Sequence, residues 1–167
     1  MLKILKPDFY YKEIYSIKLE LLGENDIKGI ICDIDNTIVE WSEKEIEKEV
    51  LSWFEKLSAK GFKVCLVTNS LNKRAFYFSK KINTPAIGYA IKPAKWSYKK
   101  AQKIMGLSKN EIVVIGDQIF TDILGGNRLG FMTILVDPLA KKEFFTTKIF
   151  RLLEKLFFNR KNWYRTD

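Results

Sequence analysis

Five short apolar runs, each rich in β-branched residues, recur along the sequence at 29–34 (GIICDI), 62–68 (FKVCLVT), 85–91, 112–116 (IVVIG) and 131–136 (FMTILV). Continuous apolar runs of this length read as strands buried on both faces. Helical patterns lie between them. Ser42 and Glu45 have the spacing of a capping box, after which Val50, Phe54 and Leu57 recur at helical spacing until Gly61. Further helices are expected over 71–82 with its Lys and Arg outward, over about 94–105 stopped by Gly106, and near 121–129 ending at Gly130. Ser108 and Glu111 also resemble a capping box, but the apolar run from Ile112 reads as strand. Strand–helix alternation of this kind predicts an α/β fold, a five-stranded parallel sheet with helices on both faces. Ligands of such sheets bind beyond the carboxyl ends of the strands.

At 167 residues the chain is expected to form one domain, with its core over about 27–138 and a basic tail over about 139–167. No histidine occurs, which removes Ser-His-Asp triads, imidazole bases and His-ligated zinc. The two cysteines suit a reducing cytoplasm and cannot build a four-cysteine metal site. A cysteine phosphatase wants an Arg six residues after its Cys, yet Ile38 and Leu71 stand at that distance from Cys32 and Cys65. Chemistry is left to carboxylates, hydroxyls, lysines and an oxygen-bound metal. The segment 1–9 is too short for a signal peptide's apolar region, and no run approaches the ~20 residues that cross a bilayer.

The strand ends carry the candidate chemistry. The first closes on Asp33-Ile34-Asp35-Asn36-Thr37, two carboxylates that are costly there without a cation or partner. The second closes on Thr68-Asn69-Ser70, donors suited to phosphate oxygens that would also serve as an N-cap for the next helix. The third runs into Lys92-Pro93. The fourth ends in Gly116-Asp117-Gln118, with Thr121 and Asp122 following. Each cluster is ambiguous alone, since an Asp can cap a helix and a Lys can be surface solvation. Four of them at successive strand ends point to one site.

In that order, DIDNT, VTNS, IKP and GDQIFTD resemble the four motifs of the haloacid dehalogenase superfamily. More narrowly, the chain is similar to YqeG-type subclass IIIA phosphatases, which are related to mitochondrial phosphatidylglycerophosphatase. The resemblance implies a Rossmann-like sheet and a phosphomonoester hydrolase working through an aspartyl-phosphate. It implies Asp33 as nucleophile and Asp35 as general acid and base. Mg²⁺ would be held by Asp33, the backbone carbonyl of Asp35, and Asp117. Thr68 and Lys92 would bind the transferring oxygens, and Asn69 would contact substrate. Thr37 would shape the turn after the nucleophile, and Asp122 would support the metal waters or Lys92.

A helix and a strand nearly fill the stretch from Asp33 to Val67, and again from Thr68 to Ile91, so no cap domain is expected at either point. An open site suits a phosphate on something large, such as a lipid headgroup, a nucleic-acid end or a protein. Ten Lys/Arg and no acid lie over 71–109. The tail interleaves Phe144, Phe145, Phe150, Leu153, Phe157 and Phe158 with Lys148, Arg151, Lys155, Arg160 and Lys161, the composition of an amphipathic helix on anionic lipid. Core docking or a dimer contact would use the same apolar face. The resulting expectation is a phosphatidylglycerophosphate phosphatase, cytoplasmic and peripheral on the inner face of the membrane. The alternatives are a phosphatase of nucleic-acid ends or nucleotides, and a non-enzymatic phosphoacceptor or membrane- or RNA-binding adaptor. A receiver-type phosphoacceptor lacks an acid two residues past the phosphorylated Asp, which Asp35 supplies.

Overall fold

The computed structural model describes residues 3–140. Six parallel strands form one sheet: β1 (Phe9–Tyr11), β2 (Gly29–Cys32), β3 (Lys63–Val67), β4 (Ala86–Ile87), β5 (Ile112–Gly116) and β6 (Met132–Val136), in the order β1-β6-β5-β2-β3-β4. The helices are α1 (Leu19–Glu24), α2 (Lys48–Ala59), α3 (Asn72–Ile82), α4 (Lys95–Met105) and α5 (Leu124–Asn127). Successive side chains of a strand point to opposite faces. Accordingly Ile30 and Cys32 pack with Val50, Leu57 and Phe78, whereas Ile31 packs with Tyr98 and Ala101. Helices therefore cover both faces, as the continuous apolar strands require.

Six strands replace the expected five. The additional strand, β1, is three residues at the sheet edge, paired with β6 in the register Phe9 to Ile134. Too short to show a period, it is specified by its partner rather than by its own pattern. The segment that follows it is also integral, because Ile14, Ile17 and Leu22 are buried in the core with β2 and α2. β4 keeps only two residues of the expected 85–91 run, and the rest becomes a loop in which Tyr89 and Ile91 have φ of 47° and 52°.

The two capping-box expectations are reversed. α2 begins at Lys48 with no side-chain cap, and Glu45 instead pairs with Lys81 of α3 at 2.6 Å. Residues 43–47 stay outside any helix, so Ser42 and Glu45 have no first turn to cap. Ser108 and Glu111 do form a complete box, on a single 3₁₀ turn that leads straight into β5. The expected helix over 121–129 divides into a π-helical turn at Ile119–Ile123 and the short α5. Apart from its first two residues, the expected amphipathic tail lies outside the described residues.

Candidate active site

β2 lies centrally, between β3 and β5, and its ladder extends one residue further when Asp33 N–H donates to Ile115 O at 3.0 Å. This places the Asp33 side chain at the carboxyl edge of the sheet. Asp117 follows β5 at the same edge, Thr68 follows β3, and Lys92 arrives from the loop after β4. The π-helical turn then carries Asp122 back over Gly116. A Cβ on Gly116 would stand 2.3 Å from the Asp122 carboxyl carbon, so only glycine permits that approach.

The result is a buried ionic cluster. Lys92 Nζ lies 2.5 Å from Asp33 Oδ1 and 2.7 Å from Asp122 Oδ1, with its side chain 4% exposed. Oxygen atoms of Asp33, Asp117 and Asp122 approach within 4.8 Å of one another. Thr37 Oγ1 donates to Asp117 Oδ1 at 3.4 Å, so Thr37 also braces a carboxylate besides closing the turn. Burial, opposed by Lys92 and reinforced by Asp122 and Asp117, pushes the Asp33 carboxyl well above the usual carboxylate range. Burial alone would lower the Lys92 pKa, but Asp122 and Asp33 outweigh it and hold the ammonium protonated.

Three buried carboxylates face one lysine, which leaves negative charge uncompensated in a poorly solvated place. The donor set is all oxygen, the chemistry that hard divalent cations select. These residues fit such an ion. The Asn36 Oδ1, buried without a hydrogen-bond partner on the turn just after Asp35, is a further acceptor on a residue lining the same cavity as Asp33.

Asp35 sits in a different environment from Asp33. Its Oδ2 accepts from Ser70 Oγ at 2.6 Å and Thr68 Oγ1 at 3.0 Å, and its Oδ1 from Arg74 Nε at 2.7 Å. The same guanidinium donates to the carbonyls of Glu43 and Glu40 at 2.9 and 3.1 Å. Ser70 and Thr68 are therefore not capping α3, whose N-cap is Leu71 with no side-chain bond. Asn69 lines the cavity and uses its Oδ1 to accept from the Lys92 backbone N–H at 2.7 Å, which fixes the lysine loop.

A cavity of about 810 Å³ opens over these groups, with Asp33, Asp35, Thr68 and Lys92 among its walls. Trp41, Leu71, Phe120 and Leu124 supply an apolar part of its lining. Every sequence-predicted residue except Asp117, Asp122 and Thr37 lines it; those three are buried outside its lining. Arg74 is not among the expected site residues, because the helical pattern over 71–82 places its Lys and Arg outward. Its position six residues past Thr68, on the helix leaving that strand end, is the signal that it could turn back over the site.

Comparison with known proteins identifies relatives of the chain. A Hydrolase-like family model, described as HAD-hydrolase-like, matches residues 90–138. The protein named Probable phosphatase YqeG, of Bacillus subtilis, is 42% identical over 153 residues, covering 92% of this chain and 89% of that one. The Arabidopsis thaliana phosphatidylglycerophosphate phosphatase 1 is 27% identical over 146 residues, 82% of this chain but 42% of its own length. A haloacid dehalogenase-like hydrolase from Brucella suis superposes with a TM-score of 0.54 at 13% identity, covering 76% of this chain and 94% of that one. That last likeness concerns the fold.

Proposed function

The chain belongs to the HAD-like phosphatases, the family of YqeG, and we propose that it is a Mg²⁺-dependent phosphomonoesterase acting on the headgroup phosphate of phosphatidylglycerophosphate. One observation carries the chemistry: a buried Asp33 clamped by Lys92 beside two further carboxylates, with a separately held Asp35 in the same cavity. Two carboxylates in contrasting environments suit divided roles.

Asp33 attacks phosphorus as the P–O bond to the substrate alkoxide breaks, and Asp35 delivers a proton to that alkoxide. The aspartyl-phosphate is then cleaved by water, from which Asp35 takes the proton back, releasing inorganic phosphate and restoring Asp33. Thr68 and Lys92 bind the transferring oxygens. Arg74 and Ser70 fix the direction of Asp35. Asp33, Asp117 and the carbonyl of Asp35, with Asp122 alongside, would hold Mg²⁺, which supplies positive charge against the repulsion between carboxylate and phosphate dianion.

The lipid substrate is supported by the Arabidopsis relative's name and by the apolar lining beside the ionic floor. Only one helix lies between β2 and β3 and one between β3 and β4, which favours access for a large substrate. Purified protein supplied with phosphatidylglycerophosphate in mixed micelles should release phosphate with Mg²⁺ and stop on chelation. Turnover of an aryl phosphate but not of the lipid would refute the substrate and keep the class. Steeply salt-dependent release from phosphorylated oligonucleotide ends would favour a nucleic-acid substrate instead.

A further inference from the structure

The large apolar side chains that the described residues leave exposed are not scattered. Eight are exposed, and all but Ile4 fall between Leu71 and Ile104. This is the segment with ten Lys/Arg and no acid. Scattered exposed apolar residues need no explanation, whereas a cluster marks a contact surface.

Four of these seven, Leu71, Tyr89, Ile91 and Trp96, have a definite place at the carboxyl edge of β3 and β4 beside the cavity mouth, whereas Ile104 lies at the amino end of β3. Tyr89 N–H donates to Ser70 O at 2.9 Å and Ala90 N–H to Thr68 O at 3.0 Å, so the 88–93 loop lies alongside the strand end that carries Leu71. Leu71 is 57% exposed, Tyr89 52% and Ile91 70%. Trp96, 44% exposed, stands on the first turn of α4, just after the turn closed by Ala94 N–H on Ile91 O. Ile91 holds a left-handed backbone, φ 52°, which is costly for a β-branched residue and persists only where the surroundings impose it. That conformation presents its side chain to solvent rather than to the core.

Charge complements this apolar rim. Three of the segment's cations are engaged, Lys92 with Asp33 and Asp122, Arg74 with Asp35, and Lys81 with Glu45. Lys73, Lys95, Lys99 and Lys100 are exposed and form no ion pair among the described residues. Exposed Leu, Ile, Tyr and Trp among free lysines match a bilayer interface: apolar and amphipathic aromatic groups enter at headgroup depth while lysines meet anionic lipid.

We propose that the surface formed by Leu71, Tyr89, Ile91 and Trp96, with Lys73, Lys95 and Lys99, docks on an anionic lipid bilayer and turns the cavity mouth toward the headgroup layer. This rests on the lipid substrate proposed above and adds which face of the molecule meets the membrane.

The test separates the two readings. In the full-length chain, Tyr89→Cys and, on the opposite sheet edge, Lys12→Cys are each labelled with an environment-sensitive fluorophore; the native Cys32 and Cys65 are buried. Vesicles of phosphatidylglycerol and phosphatidylcholine carry no phosphomonoester, so binding is read without turnover. A blue shift at position 89 and none at position 12 is expected, together with a loss of about tenfold in vesicle partitioning for the unlabelled Tyr89→Ser/Ile91→Asn double variant. Its hydrolysis of a soluble aryl phosphate should be unchanged. Sedimentation with vesicles without a shift at position 89 would place the contact elsewhere and overturn the proposal. So would a probe already shielded without vesicles, which would mean that this chain or a second copy covers the patch, or binding to an oligonucleotide in preference to vesicles. A shift at position 89 without hydrolysis of the lipid would refute the substrate and leave the surface standing.

Discussion

Arg74 Nε lies 2.7 Å from Asp35 Oδ1, and the rest of its guanidinium is anchored on the carbonyls of Glu40 and Glu43. A helix cation thereby ties the proposed acid–base carboxylate to the segment after β2. Planar, forked donors make such a contact directional. Arg74→Ala should lower kcat about tenfold to a hundredfold, as expected when a reacting group loses alignment, with KM little changed. Steady-state kinetics on an aryl phosphate decides it. A raised KM with intact kcat would instead make Arg74 a substrate ligand.

Asp35→Asn removes the proton donor while keeping shape. Hydrolysis of an alkyl phosphate should fall by roughly 10²–10⁴, the usual contribution of general acid–base catalysis. An aryl phosphate with a good leaving group should suffer less in the first step. Equal losses on both would argue that Asp35 acts elsewhere in the cycle.

Gly116→Ala tests the closeness of Asp122 to β5. The added Cβ would meet the Asp122 side chain at 2.3 to 2.6 Å, contacts that force the π-helical turn outward. A destabilisation of about 1–3 kcal/mol by denaturant unfolding is expected, with loss of activity as Lys92 loses one of its two carboxylate partners. Retained activity would mean that Asp122 can move without consequence.

The carboxylate cluster should bind Mg²⁺ even without substrate. At about a hundred times Kd a ligand adds about 2.7 kcal/mol, so Tm should rise by roughly 5–10 °C in a chain of this size. Asp117→Asn should abolish most of that rise and cost little without metal, since it also relieves repulsion among buried acids. Thermal denaturation with and without Mg²⁺ measures both.

Glu111 offers a pH test remote from the site. Lys28 at 2.6 Å and the Ser108 backbone N–H hold its pKa down at about 2, against an ordinary 4.5. A depressed carboxylate contributes stability above its unfolded pKa and loses it as pH falls through the folded one. Glu111→Gln should therefore lower Tm at neutral pH, with the gap narrowing between 4.5 and 2. A gap independent of pH would show that shape and not charge matters there.

What was legible in the sequence follows from what each signal encodes. Asp33, Asp35, Thr68, Lys92 and Asp117 end apolar runs, and in a parallel sheet all such ends fall on one edge, so topology alone brings them together. Arg74 escaped because a helical pattern distinguishes buried from exposed, not outward from turned back over a strand end. β1 escaped because three residues carry no period and depend on β6 for pairing. The Ser42–Glu45 box is absent because 43–47 stays non-helical and Glu45 faces Lys81, while the Ser108–Glu111 box forms on a turn too short to show helical periodicity.

Covalent catalysis by Asp33 is tested most directly by rapid acid quench during turnover. Borohydride reduction of the quenched protein, followed by peptide mass spectrometry, should find homoserine at position 33, and none in the Asp33→Asn variant. Turnover without any adduct at position 33, or an adduct on another residue, would contradict it.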